Sequence, residues 1–183
     1  MIAISATHRE KSNTEAMLLA TLRPLIELGF DVEILRLRQM KILPCDGCTH
    51  CTPQNGCHLE DDLTRLYPRI FEAQTWIIAS PEYWWNVSGY CKLFLDRLNG
   101  FWTHRDRFFA GKTGAILTCG GQPLARTGYA EKALEIFFSR MRFNFVGSVR
   151  ASAENELEIL NQPDILSDCT HLGKKVAQTM ENT

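Results

Sequence analysis

The 183-residue chain has no apolar run long enough to cross a bilayer. Its start, Ile2-Ala3-Ile4, is too short for the apolar core of a secretory leader. Charge of one sign is also missing. Twenty Lys and Arg oppose twenty-one Asp and Glu, a formal charge of -1, so no field draws the chain to nucleic acid or an anionic membrane. Neither G-x-G-x-x-G nor G-x-x-x-x-G-K-[ST] occurs, which argues against a dinucleotide fingerprint and an NTPase loop. Internal repeats, low-complexity stretches and interdomain linkers are absent. One domain over residues 1–183 is expected.

What is abundant is cysteine. Seven is an odd number, which argues against a closed set of disulfides and for a reducing, cytoplasmic setting. Cys45, Cys48, Cys51 and Cys57 form a C-x2-C-x2-C-x5-C run inside a loop at about residues 39–60. One zinc ion usually takes two separate pairs, whereas consecutive short bites suit the several irons of a cubane. The run points to an iron–sulfur cluster ahead of zinc or free thiols. Pro53 and Gly56 supply the turn before the fourth thiol. Few apolar residues follow Leu43, so the metal would be what orders this loop. His50 and His58 are read as surface neighbours of the run, and Cys91 and Cys169 as small core residues.

Elsewhere, apolar runs alternate with helical periodicity. Strands are expected at residues 2–5, 31–36, 76–80, 113–119 and 143–149. Helices are expected at 14–28, from Asp61 or Asp62 to Ala73, and at 89–98, 129–141 and 163–180. Pro68 should kink or break the second helix. The βαβα order gives α/β architecture, a three-layer sandwich around a five-stranded parallel sheet.

In such sheets ligands bind beyond the carboxyl ends of the strands. Three strand-end loops carry suitable groups. The first, Ser5 to Thr14, offers hydroxyls, an amide and two cations at a helix start; a phosphate site and a plain N-cap both fit it. The second, Ser80 to Ser88, has three adjacent aromatics that must cover something apolar. In the third, Thr118 to Gln122, the glycine pair permits close backbone approach, or makes a simple turn.

Taken together, these loops resemble the flavodoxin-like NAD(P)H-dependent FMN reductase family, and the cysteine loop resembles its iron–sulfur flavoprotein branch. The family opens with a segment like I-S-G-S-P-R-x-x-S-N-T. Here Ile4-Ser-Ala-Thr-His-Arg-Glu-Lys-Ser-Asn-Thr14 stands in its place, with Ala6 for Gly and His8 for Pro. A second signature, S-P-x-Y followed by Ser and a helix ending F-x-D-R, matches Ser80 to Tyr83, Ser88 and Phe94 to Arg97.

The resemblance implies a flavodoxin-like fold. It also implies FMN, with the phosphate held by Thr7, Arg9, Ser12, Asn13 and Thr14. Pro81, Glu82, Tyr83, Trp84, Trp85, Asn86 and Val87 would line the isoalloxazine ring, and Cys119, Gly120 and Gly121 would border its other edge. NAD(P)H or a reduced carrier protein would donate electrons, through the flavin, to a quinone, small-molecule or protein acceptor. The alternative is an iron–sulfur flavoprotein that only carries electrons. The chemistry is mainly the flavin's, so no acid–base residue is named. A homodimer or homotetramer is expected, to cover exposed aromatics and a cofactor at the loop edge.

Overall fold

The computed structural model describes residues 1–51 and 56–182. The turn expected at Pro53 lies outside the described residues, whereas Gly56 has the left-handed φ of 63° that a tight turn asks of glycine. Six strands are seen among the described residues: β1 (Ile2–Ser5), β2 (Glu33–Arg36), β3 (Thr75–Tyr83), β4 (Asn86–Val87), β5 (Thr113–Gly120) and β6 (Asn144–Ser152). The main helices are α1 (Asn13–Glu27), α2 (Asp62–Glu72), α3 (Gly89–Leu98), α4 (Arg105–Phe108), α5 (Tyr129–Arg140) and α6 (Pro163–Glu181). Five strands pair in parallel in the order β2-β1-β3-β5-β6, and β4 folds back antiparallel on the end of β3. This is the flavodoxin-like order, with its switch point between β1 and β3.

Strand alternation splits the core in two. Ile2, Ile4, Trp76 and Ile78 face an aromatic layer with Phe94, Phe101, Phe109, Phe138 and Phe143. Ala3, Ile77 and Ala79 face an aliphatic layer with Met17, Leu18, Leu22, Leu25 and Val176, from α1 and α6. α1 and α6 meet closely at Gly173, where a Cβ would collide with the Thr21 carbonyl.

Pro68 does not break α2, which runs unbroken from Asp62 to Glu72. Asp61 caps its start by accepting from the Thr64 N–H at 3.0 Å, and Leu63, Tyr67 and Ile70 bury one face. Packing and capping together outweigh the one backbone bond that a proline removes. No helix among the described residues is long and apolar enough to cross a membrane.

Candidate functional site

The loops after β1, β3 and β5 meet at the switch point and enclose a cleft of about 150 Å³. Thr7, Arg9, Ser12, Asn13, Thr14, Pro81, Glu82, Tyr83, Cys119, Gly120 and Gly121 all line it. Ala153 and Glu154, just past β6, also line it and carried no sequence signal.

The α1 end of the cleft is rich in donors. Ser12 is the N-cap of α1, its hydroxyl accepting from the Glu15 N–H at 3.2 Å. The N–H groups of Asn13 and Thr14 have no protein acceptor among the described residues, as first-turn amides do until a ligand takes them. The Asn13 side chain faces elsewhere. Its amide donates to the Asn155 carbonyl at 2.7 Å and accepts from the Ile159 N–H at 3.1 Å, which ties the segment after β6 to this helix start. Arg9 is exposed and reaches the Glu154 carbonyl at 3.3 Å. Ala6, standing where the resemblance has glycine, is buried and outside the left-handed region, so its methyl group imposes no strain.

An acid in the first turn, Glu15, would repel an anion here if it stood alone. Instead Arg36 Nε and Arg38 Nη1 donate to it at 2.6 and 2.7 Å, and the Ser5 hydroxyl donates at 3.0 Å. Burial by itself would raise this carboxyl; the two guanidinium groups outweigh burial and hold it below its usual range. Glu15 lies 21 and 23 residues from these two arginines, and no motif announces the cluster.

The ring end is set by β3 and β4. Ser88 ties it to the first loop, donating to the Ala6 carbonyl at 2.6 Å while capping α3. The His8 ring packs on Tyr90 at 4.3 Å and near Tyr83 at 5.7 Å. The Glu82 carboxylate accepts from the Gly128 and Ala130 N–H groups at the start of α5. Trp84 and Trp85 form the hairpin tip between β3 and β4, with φ of 51° and 55°. Side chains rarely take that region, and each such residue costs on the order of 1–3 kcal/mol. Trp84 is 89% exposed. Both tryptophans face an adjoining space of about 200 Å³ that opens on Gly120, Gly121 and Gln122. Asn86 and Val87 do not line the cleft: they pair in β4, and Val87 is buried.

The remaining thiols divide cleanly. Burial pushes Cys119 up to about 11, and Cys91 and Cys169 to about 12, so all three are neutral packing groups at pH 7. The loop thiols are more accessible. Burial raises the Cys51 thiol, and the thiols of Cys57, Cys48 and Cys45 add to the shift. Cys48 Sγ also lies 3.3 Å from His58 Nδ1, and His58 Nε2 lies 3.0 Å from Asp46, so His58 touches the run rather than standing apart from it. Among the described residues no three thiols lie within 4.8 Å of one another. The group of described residues whose ligand atoms do lie that close is Asp46, Cys48 and His58.

The base of this loop is clasped by a buried ion pair, Arg97 with Asp61, whose side chains are both 0% exposed. Asp61 accepts from the Leu43 N–H at 2.8 Å, and Arg97 donates to the Leu43 carbonyl at 2.9 Å and to Thr64 Oγ1 at 2.9 Å. Leu43 precedes the first cysteine and Asp61 follows the last. The protein itself therefore anchors both ends of a loop that the sequence reading assigned mainly to the metal.

Residues 1–157 match the NADPH-dependent FMN reductase family. The chain belongs to that family. An iron–sulfur flavoprotein of Archaeoglobus fulgidus is 33% identical over 135 residues, 74% of this chain and 67% of that protein. The stretches matched cover 50–67% of the length of the iron–sulfur flavoproteins it resembles. A Bacillus subtilis protein described as a candidate NAD(P)H-dependent FMN-containing oxidoreductase, YwqN, is 30% identical over 156 residues, 80% of this chain and 84% of that one. A flavodoxin from the Archaea superposes with a TM-score of 0.62, covering 99% of both chains at 16% identity, a likeness of fold. Membership in this FMN reductase family supports flavin-dependent oxidoreductase chemistry.

Proposed function

We propose that residues 1–183 act as one FMN-binding domain that takes electrons from NAD(P)H or a reduced carrier protein and passes them to a quinone, small-molecule or protein acceptor. The observation that carries this reading is the convergence of three strand-end loops on one cleft, with unclaimed N–H groups of α1 at one end. Bound there, FMN supplies reversible one- and two-electron chemistry. The chain's part is to hold and orient it. Asn13 and Thr14 N–H groups, with Thr7, Ser12 and Arg9, bind the phosphate; Pro81 to Trp85 and Cys119 to Gly121 wall the ring. The cleft has one phosphate cradle and no Gly-rich turn for a pyrophosphate, so FMN fits rather than FAD. The exposed Trp84 is the surface that a homodimer or homotetramer would cover.

Cys45, Cys48, Cys51 and Cys57 are the residues that would hold a [4Fe–4S] cluster. Gly100 tests this, because a Cβ there would overlap Cys51 Sγ and displace the thiol. Gly100→Ala should retain flavin and lose iron and acid-labile sulfide after anaerobic purification. A variant with wild-type iron content would remove Cys51 from the ligand set.

The experiment for the main reading is anaerobic purification with flavin, iron and sulfide analysis, followed by mixing with NADH or NADPH. Bleaching of the flavin band by a nicotinamide supports the reductase. The cysteine loop favours a second reading, an electron carrier without a small-molecule substrate. Bleaching by reduced ferredoxin and by neither nicotinamide would establish that one. Released flavin that runs as FAD would sink the FMN assignment.

A further inference from the structure

The cleft does not end at the tryptophan hairpin. The space between Trp84, Trp85 and Gly120–Gln122 shares Glu82, Gly120 and Gly121 with the cleft. On its other side it shares Trp85 and Thr127 with a third hollow of about 560 Å³. The three spaces adjoin one another across these shared walls.

The far hollow has a different character. Arg126, Lys132 and Arg150 contribute three cations, and Trp85 and Tyr129 two aromatic faces. Tyr129 is 64% exposed and Trp85 49%. At the start of α5, Glu82 takes the Gly128 and Ala130 N–H groups, so recognition of an anion there falls largely to side chains. The Arg126 guanidinium has no partner among the described residues. Lys132 pairs with Glu135 at the surface at 2.9 Å, and Arg150 reaches Glu131 at only 3.4 Å. The exposed Lys132 pair is worth at most about 1 kcal/mol, so an incoming phosphate can take that cation over. Arg150 is half-buried and also donates to the Thr127 carbonyl at 3.3 Å. Gly128 keeps Arg150 in place, because any Cβ there would overlap its guanidinium.

Aromatic face and cation are also delivered together. Trp85 Nε1 donates to the Arg126 carbonyl at 3.0 Å, which locks the strained hairpin tip to the Leu124–Arg126 turn. Planar rings beside several donors of charge-assisted hydrogen bonds recognise a phosphorylated purine nucleoside.

We propose that this hollow binds the 2′-phosphoadenosine end of a reduced nicotinamide dinucleotide, with Arg126, Lys132 and Arg150 on the phosphates and Trp85 and Tyr129 on the purine. The proposal rests on the nicotinamide-dependent reading and deepens it. It makes these residues the basis on which the chain separates NADPH from NADH, and it gives a reason for holding Trp85 in the left-handed region.

Binding is measured on the flavin-loaded protein by tryptophan fluorescence and calorimetry, with adenosine 2′,5′-bisphosphate, 5′-ADP and inorganic phosphate as probes. The 2′,5′-bisphosphate should bind at least 10-fold more tightly than 5′-ADP. Arg126→Ala with Lys132→Ala, both at the surface, should erase that preference and leave FMN affinity unchanged. Equal binding of the two nucleotides, or a preference that survives the double substitution, overturns the proposal. Tight binding of inorganic phosphate that the 2′,5′-bisphosphate does not exceed overturns it as well. If the 2′,5′-bisphosphate is preferred but neither nicotinamide bleaches the flavin, the nucleotide site stands and the donor reading fails. If a nicotinamide bleaches the flavin without any 2′-phosphate preference, the donor reading stands and this assignment falls.

Discussion

Arg97→Met should destabilise the chain by about 3–5 kcal/mol, because it strands the Asp61 carboxylate in a fully buried site. For a chain of this size that lowers Tm by roughly 6–20 °C. Methionine replaces most of the apolar stem, so lost packing is a small part of the effect. The larger part is a carboxylate left with the Leu43 and Thr64 N–H groups but no countercharge. Since the same pair fixes Leu43 and the start of α2, the cysteine loop should lose its anchor and the variant its iron.

The pair also predicts a pH dependence. Burial alone would raise the Asp61 carboxyl; the Arg97 guanidinium and the two backbone donors overcome this and hold it at about 2, against an ordinary 3.8. A folded pKa below the unfolded one stabilises the fold at higher pH. The contribution is complete above about pH 4 and is lost as pH falls through 2, about 2 kcal/mol in all. Asp61→Asn should be less stable at neutral pH and should lack that portion of the acid transition. Urea denaturation of wild type and both variants between pH 2 and 7 tests this. An Arg97→Met chain within 1 kcal/mol of wild type would show that the pair is not the clasp.

FMN affinity should fall by roughly 30-fold or more in the double variant Arg9→Ala, Ser12→Ala. Each lost hydrogen bond to the phosphate is worth about 1–3 kcal/mol, and 1.4 kcal/mol is tenfold. Ser12 also caps α1, so its removal costs about 1 kcal/mol of apoprotein stability, to be measured separately. Ser12→Asp separates the two roles. Aspartate caps a helix as well as serine does, but its charge repels a phosphate. The apoprotein should keep its stability while FMN binding weakens more than in Ser12→Ala. Unchanged FMN affinity in Ser12→Asp would move the phosphate away from α1.

Much of the architecture was legible because it is written in local periodicity. Apolar runs such as Trp76 to Ser80 and Thr113 to Cys119 marked buried parallel strands. The spacing of Met17, Leu18, Leu22, Leu25 and Ile26 marked the inner face of α1, correctly except for Ile26, which is exposed. The cleft was legible for a related reason. Its donors are consecutive in sequence at strand ends, so topology alone brings them together.

The rest depends on partners that are distant in sequence. Asp61 and Arg97 read separately as a helix cap and the end of a family signature, and only folding buries them against each other. Glu15 meets Arg36 and Arg38 because β1 and β2 lie side by side. Pro68 reads as a break, yet tertiary packing of α2 offsets its local penalty. The strained tryptophans run against backbone preference, so no propensity foretells them. The cationic hollow joins the α5 start to β6 and the hairpin tip. Short-range pattern marked the five parallel strands, the helices that flank them and the strand-end loops, but neither β4 nor α4. Which charges neutralise one another, and which loops wall a common cleft, follows from burial and proximity between remote segments, and these exist only in the folded chain.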